Sequence, residues 1–101
     1  MDRLRWKLSV TGSKVTIKNV TSLGSNCFRN CTSLTSIIIP DSVTSLGDEC
    51  FILCTNLTSI SISDSVTSLG DYCFHNCIKL TSITIPNGVT SLGQNCYLWR
   101  L

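Results

Sequence analysis

Residues 66–88 read VTSLGDYCFHNCIKLTSITIPNG, and this stretch decides the fold because the chain repeats it. Copies occupy residues 20–42 (VTSLGSNCFRNCTSLTSIIIPDS) and 43–65 (VTSLGDECFILCTNLTSISISDS), and a partial copy, VTSLGQNCYLWRL, occupies residues 89–101. Each copy starts 23 residues after the one before it, without an insertion. A fixed period of about 20–50 residues is typical of solenoids, in which each unit stacks on its neighbours. The sequence therefore predicts a single repeat domain built from short rungs.

Each full copy contains an L-x-x-I-x-I segment, which in the third copy is formed by Leu80, Ile83 and Ile85. Its second half alternates with a period of two, so the isoleucines lie on one face of a short β-strand. Stacked copies of this strand predict a parallel sheet in a right-handed coil. The C-F-x-x-C segment places two cysteines four residues apart, which predicts one helical turn that faces the core.

One glycine recurs at the same corner of every copy, and it predicts a backbone angle that other residues avoid. These glycines are Gly24, Gly47, Gly70 and Gly93.

Residues 1–19 differ from the repeats and predict an N-terminal capping hairpin, whereas residues 20–101 form the repeat array. Trp6–Val10 and Val15–Ile17 alternate apolar and polar residues on either side of a Thr-Gly-Ser-Lys turn. We expect Trp6 to cover the open end of the core. The link from Ile17 to Val20 is one residue shorter than the equivalent link in later copies.

Composition narrows the class of protein. The sequence is 43% hydrophobic and 14% charged, which is typical of a globular chain and not of a disordered one. Its apolar runs are too short to span a bilayer, and the N-terminus lacks the continuous apolar core of a signal peptide. By default the sequence therefore predicts a cytoplasmic protein without a transmembrane segment. No nucleic-acid partner is predicted.

The charge is concentrated at the N-terminus. Residues 1–19 carry five Lys or Arg residues against one Asp, a net +4, whereas the remainder carries three against five, a net −2. A basic head attracts phosphates or an acidic membrane surface. We favour the simpler interpretation that these charges keep an exposed edge strand from pairing with another chain.

The repeat unit VTSLGxxCFxxCxxLTSIxIP resembles the BspA-like, or Treponema-type, leucine-rich repeat over residues 20–97. The Cys-Phe-x-x-Cys form, in place of the usual Ala-Phe, is similar to repeats of amoebal protist members. The resemblance implies a leucine-rich-repeat solenoid that is mainly β, with a second short strand near Val-Thr-Ser-Leu and a helical turn in each rung. It also implies protein binding, often at cell surfaces. The array is shorter than is usual for the family, and its fourth copy changes after Tyr97.

The outward positions of the main sheet are the predicted partner-binding face, because this face usually carries the ligand in leucine-rich repeats. They are Ser36, Ile38, Ser59, Ser61, Ser82 and Thr84. Small hydroxyl side chains provide few anchors for a tight interface, so one short array is expected to bind weakly and to rely on multivalency.

The seven cysteines are the chemically notable set, and three interpretations stay open for them. The favoured one is a pair of buried thiol ladders beside a ladder of phenylalanines. Neighbouring rungs are also close enough for disulfides between copies. The third is a metal or redox centre, in which thiolates of adjacent rungs act as ligands. Its candidate ligands are Cys27, Cys31, Cys50, Cys54, Cys73 and Cys77; Cys96, at the open end, is expected to be the most reactive thiol.

His75, the only histidine, occupies a variable position without an orienting group, so the sequence predicts neither a catalytic residue nor a cofactor. We therefore predict a non-catalytic protein-interaction module. The alternatives are a cysteine-based metal-binding or redox-responsive protein, and a structural fragment without its own partner. The latter predicts end-to-end self-association through Trp99 and Leu101.

Overall fold

A computed structural model describes residues 8–11 and 14–96. Within these residues the chain forms short β-strands joined by turns and no helix. The strands are β1 (Leu8–Thr11), β2 (Lys14–Ile17), β3 (Ser22–Leu23), β4 (Ser36–Ile39), β5 (Ser45–Leu46), β6 (Ser59–Ile62), β7 (Ser68–Leu69) and β8 (Ser91–Leu92).

The strands form two sheets. The first has the order β1-β2-β4-β6, and the second has the order β3-β5-β7-β8. Strands β1 and β2 pair antiparallel as a hairpin, and all other pairs are parallel. Ser36 pairs with Ser59 and Ser45 pairs with Ser68, each 23 residues later. The sequence period is therefore the stacking register of the rungs, and the predicted second strand of each rung is present.

The core lies between the two sheets and contains the same positions from each copy. The second copy contributes Val43, Leu46, Phe51 and Leu57, all at most 2% exposed. Phe51 stacks nearly parallel on Phe28 and Phe74, with ring centroids 5.1 and 5.4 Å apart. Among the residues whose burial is described, 15–96, no polar or charged residue is buried. Repetition thus turns one apolar rung into continuous columns of apolar side chains.

The predicted helical turn at C-F-x-x-C is instead a run of β-turns. In the first copy the amides of Cys27, Arg29 and Cys31 donate to carbonyls three residues earlier. The intervening amides of Asn26, Phe28 and Asn30 donate to carbonyls of the next copy at 2.8–2.9 Å. A helix would keep all of these donors within the segment. The segment forms turns because every second amide bonds to the adjacent rung.

These turns place particular residues in the left-handed region. Asn30, Leu53 and Asn76 occupy equivalent positions with φ of 62–63°, and Glu49 and Tyr72 have φ of 57° and 56°. Asparagine tolerates this conformation better than other residues with a side chain. The repeated asparagines therefore match the backbone that the turns require.

Close packing, and not the unusual backbone angle that the sequence predicts, requires glycine at Gly47, Gly70 and Gly93; a Cβ on Gly24 meets nothing within 4 Å. A Cβ built on Gly70 lies 2.4 Å from the Asp48 amide nitrogen and 2.4 Å from the Gly47 carbonyl carbon. None of the four corner glycines has φ in the left-handed region. At this corner, consecutive rungs pack backbone against backbone.

The first sheet is irregular at both ends. β2 pairs with β4 only through Lys14 with Ser36 and Val15 with Ile37, because the short link to Val20 draws the end of the strand away. At the other end, residues 81–86 are not a strand, although their sequence predicts one. No further L-x-x-I-x-I segment follows this one in the sequence.

Trp6, Trp99 and Leu101, to which the sequence analysis gives capping or self-association roles, lie outside the described residues. The domain division at residue 19 and the self-association stay predictions.

Candidate partner-binding face

The predicted partner-binding face is the outward side of the first sheet. Along β4, Ile37 and Ile39 are buried whereas Ile38 is 69% exposed. Along β6, Ser59 and Ser61 are exposed and the isoleucines between and after them are half-buried. The alternation of a β-strand thus separates core positions from surface positions.

The six predicted residues are arranged in two columns. Ser36 pairs with Ser59, and Ile38 pairs with Ser61. Ser82 and Thr84 are exposed in the segment that follows, although this segment is not a strand. None of the six is ionisable, and together they present one large apolar side chain among hydroxyls.

A depression of about 340 Å³ adjoins this face where β2 separates from β4, and sequence reasoning missed it. Its lining residues are Val15, Thr16, Ile17, Ser36, Ile37, Ile38 and Pro40. The signal for it is the short link between Ile17 and Val20, which prevents β2 from following β4 along its whole length. Ile38 therefore stands at the edge of a concave surface.

An open groove of about 360 Å³ runs along the second sheet, on the corner of the rungs. It is lined by the Ser-Leu-Gly-Asp segments of the second and third copies and by Ser91 and Gly93 of the fourth. The Asp48 carboxylate accepts a hydrogen bond from the Asp71 amide at 2.8 Å, and the Asp71 carboxylate accepts one from the Gln94 amide at 2.8 Å. These carboxylates connect one rung to the next, which is a structural role.

The cysteines form two columns beside the phenylalanine stack. Cys50, Cys54, Cys73 and Cys77 are fully buried, and Cys96 is 3% exposed. Cys27 and Cys31, in the first copy, are half-buried. No disulfide is present among these seven residues, all of which are described. Cys96, the thiol expected to be most reactive, is therefore buried in the structure.

The second cysteine of the repeat bonds to the preceding rung. The Cys54 thiol donates to the Phe28 carbonyl at 3.1 Å, and the Cys77 thiol donates to the Phe51 carbonyl at 3.1 Å. Thiols are weak donors. These bonds nevertheless satisfy both groups in an otherwise apolar core.

Thiols of successive copies also influence one another's pKa. Two effects raise the pKa of Cys50: the larger is contact with the Cys27 thiol, and the smaller is burial. Contact with Cys77 and burial raise the pKa of Cys54 in the same way.

In the last pair, contact with Cys96 and then burial raise the pKa of Cys73. Contact with Cys54 lowers the pKa of Cys77, and contact with Cys73 lowers the pKa of Cys96, because in each case the partner thiol stabilises the thiolate. Burial raises the pKa of Cys31.

The metal interpretation finds no matching geometry in the described part of the chain. No three of its His, Cys, Asp or Glu side chains are grouped so that they could hold a metal ion.

His75 lies half-buried with its ring edge against Tyr72, at a centroid distance of 5.2 Å. Its Nδ1 atom is buried without a hydrogen-bond partner. The cysteines on either side of it, Cys73 and Cys77, are fully buried. The three side chains do not share a cleft in which a substrate is positioned.

Among residues 8–11 and 14–96, no helix has the length and apolar character needed to cross a membrane.

Comparison with known proteins gives two matches and one negative result. Residues 8–99 match the family model of the BspA type leucine rich repeat region, in six copies. The structure is similar to the crystal structure of a leucine-rich repeat protein of T. pallidum, with a TM-score of 0.82 and 27% sequence identity. The match covers 85% of this chain and 43% of the T. pallidum chain, so this chain spans less than half of that protein's length. No curated protein sequence matches.

Proposed function

The chain belongs to the BspA type leucine-rich repeat family, and from this premise we propose that it is a non-catalytic module that binds a protein partner through the outward face of its first sheet. The observation that carries the proposal is the exposure of Ile38, which is 69% accessible at the edge of a concave surface. Burial of this exposed apolar side chain against a partner would remove apolar surface from water, which favours association.

The remainder of the face supports an uncharged contact surface. Serine and threonine side chains surround Ile38 and donate or accept single hydrogen bonds, so the partner surface is expected to be polar with a small apolar centre.

The test compares two isoleucines of similar exposure. The chain is immobilised and used to capture proteins from its source organism, in parallel with the variants Ile38→Asp and Ile78→Asp. Ile78 is 62% exposed but lies outside the sheet face. A partner of this face is captured by the wild type and by Ile78→Asp, and is lost with Ile38→Asp. A partner retained by Ile38→Asp and lost with Ile78→Asp would assign binding to a different surface.

We further propose that the chain has an adhesive role at a cell surface. The resemblance to repeat proteins that often bind proteins at cell surfaces supports this role. A single short array buries little area, so adhesion requires many copies acting together. The captured partner is expected to bind weakly to the monomeric chain and at least about 100-fold more tightly to the chain displayed on a tetrameric carrier. Equal affinities in the two formats would argue against adhesion.

A further inference from the structure

The two edges of the second sheet differ in how well their leucines are covered. Leu46 and Leu69, in the inner strands β5 and β7, are each 2% exposed, and Leu23, in the edge strand β3, is 1% exposed. Leu92 occupies the equivalent position in β8, the strand at the other edge, and is 50% exposed. The N-terminal end of the array therefore covers its leucine, whereas the opposite end leaves Leu92 half-exposed.

The backbone of β8 is directed in the same way. The Gly93 amide donates to the Leu69 carbonyl of the preceding copy at 2.8 Å. Successive residues of a strand turn their backbone groups to opposite sides, so the amide and carbonyl of Leu92 point away from β7. β8 is the last strand in the order of its sheet. The exposed leucine and the outward backbone groups thus lie on one edge.

A second apolar side chain at this end is also incompletely covered. Val89 packs against the core but is half-buried, whereas its counterparts Val43 and Val66 are 0% exposed. Residues 80–96 contain no Asp, Glu, Lys or Arg. Charged side chains are a common means by which edge strands avoid pairing with another chain, and this edge lacks them. We call Val89, Leu92 and the outer edge of β8 the tail surface.

We propose that the tail surface is a dimer interface, in which β8 pairs antiparallel with β8 of a second copy of the chain and each copy covers Leu92 of the other. A strand edge is complementary to its own copy in the antiparallel direction, because both edges present the same alternation of donors and acceptors. The second copy is the partner that this edge fits, since it presents the same uncharged, apolar surface. A two-fold axis then relates the two copies, and the contact closes.

The opposite end of the array does not offer a matching surface. Leu23 is already covered there, so a head-to-tail contact would bury little additional apolar area. A closed dimer is therefore expected, and not a filament. The proposal places the end-to-end contact on β8, whereas the sequence alone predicts it for Trp99 and Leu101. It does not depend on the proposed binding face, although a dimer would carry two such faces and bind a repeated partner more tightly than one.

The experiment measures the molar mass of the full chain by sedimentation equilibrium, with a reductant present so that cysteines do not cross-link the copies. The strand β8 has only two residues, so the dimer is expected to be weak. The concentration therefore runs from about 1 µM to about 1 mM. The apparent mass is expected to rise from the 11.1 kDa of the monomer towards twice that value and to level off there.

Two exposed apolar residues at opposite ends of the array provide matched variants. Leu92→Asp brings two carboxylates together across the two-fold axis and is expected to weaken dimerisation at least about 10-fold. Ile38→Asp, at a residue of the first copy that is 69% exposed, is expected to dimerise as the wild type does. Both side chains are at least half-exposed, so both variants are expected to keep the circular dichroism spectrum of the wild type.

Hydrogen exchange of single amides, followed by NMR, gives a second readout. Exchange at the Leu92 amide is expected to slow as the concentration rises, because the amide donates to the second copy in the dimer. Exchange at the Leu23 amide, the equivalent group of β3, is expected not to depend on concentration.

Three results would overturn the proposal. A monomer mass at every concentration would show that the tail surface does not pair, and slow exchange at Leu92 in that monomer would show that the same chain covers the edge. A mass that rises without levelling off would show an open filament. A dimer that is lost with Ile38→Asp and retained with Leu92→Asp would place the contact on the first sheet.

Discussion

At the scale of single residues, the corner glycines are set by contact between the backbones of successive rungs. A Cβ on Gly70 lies 2.4 Å from backbone atoms of the preceding copy, whereas a Cβ on Gly24 has nothing within 4 Å. We expect Gly70→Ala to lower the free energy of unfolding by about 3 kcal/mol, because two backbones must separate. Gly24→Ala is the matched control and should change it by less than about 0.5 kcal/mol. Guanidinium unfolding followed by circular dichroism measures both, and equal effects would contradict the close-packing explanation.

A second prediction at this scale concerns the left-handed turn positions. Leu53 has φ of 63°, almost the same as the 62° of its counterparts Asn30 and Asn76, but it is a leucine where they are asparagines. A leucine in this conformation is strained by about 1–2 kcal/mol. Leu53→Asn is therefore expected to stabilise the protein by about 1 kcal/mol, and the reverse change, Asn76→Leu, to destabilise it by a similar amount. Thermal unfolding of the two variants checks this, and a loss of stability with Leu53→Asn would show that the side-chain packing of Leu53 outweighs the strain.

The same positions explain why the helical turn was wrongly predicted. Cysteines four residues apart satisfy the helical period, and nothing in one copy indicates that every second amide bonds to the next copy. Asparagine at Asn30 and Asn76 is a signal for a left-handed residue, but Leu53 interrupts it. The information therefore lies in the stacking of copies and not in the local pattern.

At the scale of elements, the phenylalanine stack is the central column of the core. Phe74 is fully buried and its ring lies 5.4 Å from that of Phe51, centroid to centroid. We expect Phe74→Ala to lower the free energy of unfolding by about 3–5 kcal/mol, because it leaves a cavity between two rungs. Phe74→Leu retains most of the volume and should be less damaging. A loss below about 1 kcal/mol for Phe74→Ala in denaturant unfolding would show that the column does not support the array.

The two strands of the candidate face, β4 and β6, show which parts of the site could be predicted from the sequence. The alternation in β4 and β6 was sufficient to place Ile38 and Ser61 on the surface, because a strand has a period of two. The depression beside Ile38 was not predicted, although the short link before Val20 is its cause. The length of a loop alone does not predict a depression in the surface, because its effect depends on how β2 pairs with β4.

At the scale of the whole molecule, the two sheets end at different copies. The second sheet continues into the partial fourth copy through β8, whereas the first sheet ends at β6. Residues 81–86 follow β6 without forming a strand, although Ile83 and Ile85 pack against the core. In a repeat array each unit is stabilised by its neighbours, so a segment with a neighbour on one side only is the least stable part of its sheet.

This view predicts that one more rung converts residues 82–85 into a strand. The change replaces residues 97–101 by a second copy of residues 74–88, so that Cys96 is followed by a complete rung. The new segment covers Ile83 and Ile85, and we expect the free energy of unfolding to rise by at least about 2 kcal/mol, the value of burying one large apolar side chain. Urea unfolding measures this gain, and hydrogen exchange at residues 82–85 measures the new strand. A control extension of equal length has aspartates at the two positions equivalent to Ile83 and Ile85, and should give neither effect. Unchanged exchange in the fully extended chain would mean that residues 82–85 depart from a strand for a reason within their own copy, and not for want of a neighbouring strand.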